Sequence, residues 1–252
     1  MIGGLRVDAV TSSDVSSAVV RGWERGRAGL IVTPNVDIWL RTRREPATRE
    51  LVDAAALVVA DGMPLLWAGR LAGTPLPERV AGSGLVETLA ALAAAHGRSL
   101  FIVGGGEADS ADSAAAALSA RYPGLRIAGT VVPPFGFEAV PGYLDELYDR
   151  IVDSAADLVY VGLGFPKQER FAAPLSARMP ATWFLGCGGG IGMAAGTAKR
   201  SPRWVQQLGL EWTHRLAQEP RRLAKRYLVD DIPAALLLLG MSARTRLTRR
   251  AQ

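Results

Sequence analysis

The chain has 252 residues, 49% of them hydrophobic and 21% charged, which suits one sizeable core with an appendage and excludes a disordered or collagen-like chain. Its single cysteine, Cys187, excludes an intramolecular disulfide and a cysteine-pair metal site and fits a reducing, cytoplasmic setting. The net charge of +5 is uneven: residues 199–252 carry twelve Lys/Arg against four acids, a local +8, whereas residues 1–198 hold 17 basic and 20 acidic side chains, a local −3. A slightly acidic body (1–198) is therefore expected to precede a basic, helical appendage (199–252) that seeks phosphate or an anionic surface.

Neither a basic n-region nor a long apolar core opens the chain, so no signal peptide is expected, and no stretch reaches the ~18 apolar residues that span a bilayer. Through the body one pattern recurs, an apolar strand, a polar or glycine-rich break, then an Ala/Leu/Arg helix. Strands are predicted at 29–33, 56–60, 99–103, 126–131, 157–161 and 182–185. Helices are predicted at 13–25, 36–44, 84–95, 109–122, 143–154 and 167–177. Such alternation predicts an α/β, Rossmann-like fold, a mostly parallel sheet flanked by helices, with ligands at the carboxyl ends of the strands.

The polar groups after each strand are then the site candidates. After the first come Thr33, Asn35 and Asp37, where Asn35 or Asp37 also suits a helix cap. After the second, Asp61 stands before Gly62, either as a turn residue or as a general base. The Pro/Gly-rich segment 69–85 carries Glu78 and Arg79, and is expected to be a mobile loop. Its arginine suits a bidentate phosphate clamp, or else a surface ion pair. After the third strand, Gly104-Gly105-Gly106 opens a helix where an anion would be favoured. After the fifth, Gly162-Leu-Gly-Phe-Pro166 presents Lys167, Gln168 and Glu169 from a rigid strand end.

Several chemistries lack their residues. His96 and His214 are the only histidines, no ligand spacing suggests zinc, and His96 suits a helix C-terminus. There is no Asp-x-Asp, P-loop or Gly-x-Ser-x-Gly. The dinucleotide pattern Gly-x-Gly-x-x-Gly fails because Gly104, Gly106 and Asp109 hold its three positions. Neither a metal nor a cofactor is expected.

Taken in order, several segments resemble the WecG/TagA/CpsF glycosyltransferases, glycosyltransferase family 26. They are Thr33-Pro-Asn-Val-Asp37, Ala60-Asp-Gly62, Glu78-Arg-Val-Ala-Gly82, Tyr122-Pro-Gly-Leu125, Val161-Gly-Leu-Gly-Phe-Pro-Lys-Gln-Glu169, Ala195-Gly-Thr-Ala-Lys-Arg-Ser-Pro202, Gly209-Leu-Glu-Trp-Thr-His-Arg215 and Gln218-Glu-Pro-Arg221. The resemblance implies an inverting transferase moving a sugar from a UDP-sugar to a polyprenyl-diphosphate-linked saccharide in cell-surface polysaccharide synthesis. It implies a cytoplasmic protein, peripheral at the inner face of the plasma membrane. By the same resemblance Asp61 is the general base, Thr33 and Asn35 line the cleft, and Arg79 helps hold diphosphate. Lys167, Gln168 and Glu169 neighbour the nucleotide sugar, and Arg215, Arg221 and Arg226 meet the lipid diphosphate. Two family carboxylates are absent, one replaced by Gly84 and one within Ile191-Gly192-Met193, so sugar identity is not carried over.

In the appendage, an apolar run at 232–241 ends in Arg244, Arg246, Arg249 and Arg250. Such a segment suits an anionic membrane surface, or packing on the body or on another subunit of a homo-oligomer. Two alternatives stand beside the transferase: a nicotinamide-dependent oxidoreductase using the glycine turns, and a non-catalytic binder of anionic surfaces. The tail lacks the interleaved aromatics of a nucleic-acid platform, and no nucleic-acid partner is expected.

Overall fold

A computed structural model of the chain describes residues 1–198, 205, 211–218 and 220–250, with Trp212, His214, Arg215, Gln218, Pro220, Arg222, Arg249 and Arg250 described in their backbone only. Six strands, β1 (Leu30–Val32), β2 (Leu57–Val58), β3 (Ser99–Val103), β4 (Arg126–Val131), β5 (Leu158–Val161) and β6 (Trp183–Gly186), form one sheet in the order β2-β1-β6-β5-β3-β4. Every pairing is parallel.

Successive residues of a strand face opposite ways. In β3, Phe101 and Val103 join the core of one face, and Leu100 and Ile102 that of the other. Val159 and Val161 of β5 likewise oppose Leu158 and Tyr160. Burial on both faces explains why these strands are continuous apolar runs. The first face is covered by α2 (Val36–Arg44), α3 (Pro46–Asp53), α4 (Met63–Leu71), α7 (Tyr143–Asp153) and α8 (Lys167–Arg178). The second is covered by α1 (Ser12–Arg25), α5 (Gly82–Ala95), α6 (Ser110–Arg121) and α9 (Gly190–Ala195). Local chemistry starts and stops these helices: Thr11 and Asp14 form a capping box on α1, and Gly26 ends it in the left-handed region at φ 61°.

Beyond the body lie α10 (Glu211–Gln218), α11 (Pro220–Lys225), a π-helical turn (Arg226–Asp231) and α12 (Ile232–Arg250). The apolar run of α12 is split by its helical period. Ala234 and Leu238 are buried in the first-face core beside Trp39, while Leu236 and Leu237 face outward at 66% and 49% exposure. Among the described residues no helix is long and apolar enough to cross a membrane.

From β3 the chain proceeds outward to β4, and from β5 it proceeds the other way to β6. The direction therefore switches between β3 and β5, where open α/β sheets bind ligands. The loops there touch closely: a Cβ on Gly105 would lie 2.5 Å from the carbonyl oxygen of Gly162. A few residues along, the first turn of α8 directs two polar side chains inward, leaving Gln168 5% and Glu169 0% exposed.

The strands match the expected positions to within two residues at either end. Segment 69–85 differs: it is not one long loop, because Gly69 to Leu71 close α4 and Gly82 opens α5. α3 and α4, which lay between expected elements, start with proline at a first-turn position where no backbone donor is missed.

Gly105→Ala forces a methyl against a backbone carbonyl and should cost about 1–3 kcal/mol in denaturant unfolding. Gly189→Ala, at φ −66° with nothing within 4 Å of the added Cβ, should be neutral or slightly stabilising. Burial raises the Glu169 carboxyl to about 7 from 4.5, only partly offset by a hydrogen bond from Gln168 and one from its own backbone. The folded state then holds a proton that the unfolded chain has released, so this contribution to stability is full below pH 4.5 and is lost as pH rises towards 7. The loss should approach 3 kcal/mol, at about 1.4 kcal/mol per unit, and Glu169→Gln should abolish it in pH-dependent unfolding curves.

Candidate active site

Asp61 is built into the carboxyl end of β2. Its N–H donates to the Pro34 carbonyl at 2.8 Å, and the Val80 N–H donates to Ala60 at 2.9 Å. The ladder thus continues past β1 and β2 and brings the segment before α5 alongside them. Gly62, at φ 149°, then lets α4 start immediately. One carboxylate oxygen of Asp61 accepts from the Gly82 N–H at 3.1 Å, so Asp61 caps α5, whose own N-cap residue, Ala81, has no side-chain acceptor.

A cavity of about 450 Å³ opens above these residues, lined on its polar side by Asn35, Asp61, Arg79, Glu211, Arg226 and Asp231. Its other wall is apolar, formed by Met63 and Trp67 of α4, Tyr227, and Ile232, Leu236 and Leu239 of α12. Of the sequence candidates, Asn35, Asp61, Arg79 and Arg226 therefore converge on one space. Asn35 also has a structural task, its side-chain oxygen accepting from Ile38 N–H at 3.0 Å to cap α2.

Both arginines in the cavity are already paired. Arg79 donates to Glu211 at 2.5 Å, and Glu78 instead accepts from the backbone and hydroxyl of Ser12. Burial pulls the Arg79 guanidinium down, but Glu211, and next the charge of Asp61, more than compensate, so it ends above its ordinary value. Arg226 lies between two carboxylates at ion-pair distance, Asp37 at 3.3 Å and Asp231 at 3.4 Å. Burial pushes Asp231 up to about 6 against the pull of Arg226, and the neighbouring Asp37 and Asp230 charges add to the rise.

Gln168 and Glu169 sit elsewhere, beneath the loops that leave β5 and β6. The Gln168 side-chain oxygen accepts from Gly164 N–H at 3.2 Å and from Gly188 N–H at 3.0 Å. Its amide nitrogen donates to Glu169 at 2.8 Å. The second Glu169 oxygen is buried with no hydrogen-bond partner. Gly190, at the start of α9, would bring a Cβ to 3.6 Å from the backbone of Ser83, which lines the cavity, so the β6 loop and the cavity adjoin.

The remaining candidates are scattered. Thr33 is buried behind the cavity, its hydroxyl 2.8 Å from where a Gly82 Cβ would be. Lys167 borders a second cleft of about 470 Å³, paired with Glu138 at 2.6 Å and 4.6 Å from the centre of the Phe137 ring. Arg221 is exposed on α11, and the side chain of Arg215 lies outside the described residues. Glu211, Asp231 and Trp67 were not singled out from sequence. Glu211 stood within a segment quoted for the resemblance, and Asp231 directly before the apolar run, so position alone marked them. Among the described residues no three His, Cys, Asp or Glu side chains group as a metal site.

The model of the glycosyl transferase WecG/TagA/CpsF family matches residues 1–250. An N-acetylglucosaminyldiphosphoundecaprenol N-acetyl-beta-D-mannosaminyltransferase of Bacillus spizizenii is 27% identical over 234 residues, covering 92% of this chain and 87% of that protein. One of the same name from Staphylococcus aureus is 29% identical over 218 residues, covering 85% and 80%. Between the transferase, the oxidoreductase and the non-catalytic binder, these matches decide for the first: the chain is a glycosyltransferase and belongs to the WecG/TagA/CpsF family.

Proposed function

We propose that the protein transfers a sugar from a UDP-sugar, with inversion, to a saccharide carried on a polyprenyl diphosphate during cell-surface polymer synthesis. The observation that carries this reading is the single cavity in which Asp61 stands with Arg79 and Arg226 opposite an apolar wall. The names of the relatives, which specify a diphosphoundecaprenol acceptor, support it. In this reading the two guanidiniums exchange their carboxylate partners for diphosphate oxygens. Asp61 takes the proton of the acceptor hydroxyl as its oxygen attacks the anomeric carbon, and the bond to UDP breaks with its electron pair leaving on phosphate. The UDP-sugar lies along the glycine loops of β5 and β6, with the Gln168–Glu169 pair buried beneath them and Lys167 beside, next to the cavity. Thr33 supports the cavity floor, and Arg215 and Arg221 extend the basic path for the lipid diphosphate. The exposed Leu237 and Leu247 and the arginines Arg244 and Arg246 of α12 rest on the inner, anionic face of the membrane.

Asp61→Asn keeps an oxygen to accept from Gly82 and should therefore stay folded while losing about 10²–10⁴-fold in turnover. Near wild-type turnover in that variant, measured on a lipid-diphosphate-linked acceptor, would sink the base assignment. In a thermal-shift panel, UDP and UDP-sugars should raise the melting temperature and NAD(H) should not.

For the membrane, deleting residues 199–252 is a poor test because it strips Ala234 and Leu238 from the core. The double charge reversal Arg244→Glu/Arg246→Glu leaves that packing intact. With about 1 kcal/mol per basic residue at an anionic surface, it should weaken binding to phosphatidylglycerol vesicles at low salt by at least about tenfold. Unchanged vesicle binding overturns the membrane role of α12.

A further inference from the structure

Gln168 and Glu169 are adjacent on a helix, and adjacent helical side chains do not ordinarily face each other. Here both point inward and are joined at 2.8 Å. Space for this comes from the end of β6, where a Cβ on Gly186 would fall 2.6 Å from the Gln168 amide nitrogen and 2.8 Å from the Glu169 carboxyl oxygen. The side-chain amide has one acceptor end and one donor end. Its acceptor end serves two backbone donors, Gly164 N–H and Gly188 N–H, on different loops. Reversed, the amide would aim its NH₂ at both N–H groups. The two backbone donors and the Glu169 carboxyl oxygen, which accepts from the NH₂, therefore fix one orientation of the amide together.

We propose that Glu169 is a positioning residue: through the Gln168 amide it fixes the separation of the two glycine loops that border the nucleotide-sugar site. The proposal rests on the reading that the donor lies along those loops, and it gives the buried acid a task that contact with substrate does not require. Glu169 is fully buried, so it acts through Gln168 and the backbone. Its unpartnered second oxygen fits this division of labour, since only one oxygen faces the clasp. The Cys187 thiol, at the end of β6, is the titratable group that feels the Glu169 charge; burial pushes it up to about 12, so it remains neutral.

The test compares the full-length wild type with Glu169→Gln, which keeps an oxygen towards Gln168, and Glu169→Leu, which does not. In Glu169→Leu, amide hydrogen exchange at Gly164 and Gly188 should accelerate about fivefold or more, the scale of a lost hydrogen bond. The donor KM and the calorimetric Kd for uridine diphosphate should rise by a similar factor, with kcat at saturating donor much less affected. Glu169→Gln should restore all three to within about twofold. If Glu169→Leu does not fold, Gly186→Ala intrudes on the clasp from the strand side and should accelerate the same two amides. Glu169→Gln as impaired as Glu169→Leu overturns the proposal. So does unchanged exchange at both glycines, and so does faster exchange with donor affinity untouched. A wild type that binds no uridine diphosphate instead removes the donor reading, and the exchange arm still decides whether the clasp exists.

Discussion

The cavity depends on the carboxyl end of β2 being pinned from both sides. Asp61 donates to Pro34 at the end of β1, and Ala60 accepts from Val80 on the segment that precedes α5. A two-residue strand is a weak element alone. Extended by these bonds, it becomes a rigid mount on which one carboxylate, one arginine and one helix N-terminus are held within reach of each other. In the proposed reading Asp61 serves structure and chemistry at once, because the oxygen that caps α5 also fixes where the rest of the carboxylate can be. Preorganisation of this kind is what general-base and electrostatic catalysis demand of a scaffold.

Both cations of the cavity are partnered before any ligand arrives. Arg79 is matched by Glu211 and Arg226 by Asp37 and Asp231, so neither partly buried cation stands alone. An unpaired buried guanidinium would be costly, whereas a paired one contributes little net stability. In the proposed reading, diphosphate has to displace a carboxylate from each guanidinium, and the freed carboxylate needs solvent or a proton in turn. The pairings also join parts distant in sequence: Arg79 belongs to the body, Glu211 to α10, and Asp37 to α2 opposite Arg226 of the π-helical turn. A cavity wall built this way requires the appendage to be folded against the body, and the burial of Ala234 and Leu238 in the body core provides that.

Much of this was legible in the sequence, for identifiable reasons. Strands buried on both faces are apolar throughout, so β3 and β5 announced themselves, and parallel order sent attention to strand ends, where Asn35, Asp61 and the Gly162 loop were found. What stayed hidden were partnerships across the chain. Glu78 and Arg79 are neighbours that ignore each other, one capping α1 through Ser12 and the other reaching Glu211. Gln168 and Glu169, polar residues in the first turn of a helix, gave every sign of facing solvent or ligand. They are buried because they bond to each other and because Gly186 leaves them room, a condition set by a strand end eighteen residues later. Periodicity registers which face of a helix is apolar; it does not register a polar pair neutralised by its surroundings.

The two places where family members commonly carry a carboxylate and this chain does not acquire a meaning from the fold. Gly84 lies in the first turn of α5 and Gly192 within α9, and these helices meet where Gly190 approaches Ser83. That junction separates the glycine loop after β6 from the cavity holding Asp61. Two acidic side chains there would border the path between the proposed donor site and the acceptor, where hydroxyl groups of the transferred sugar would have to be recognised. Here that border is glycine and carries no charge, while Asp61 and the two arginines converge on the cavity and Gln168 bonds to Glu169. Gly84 and Gly192 thus stand apart in the fold from Asp61, Arg79 and Arg226, so in the proposed reading the absence of two acids at the junction leaves the bond-forming group of side chains in place.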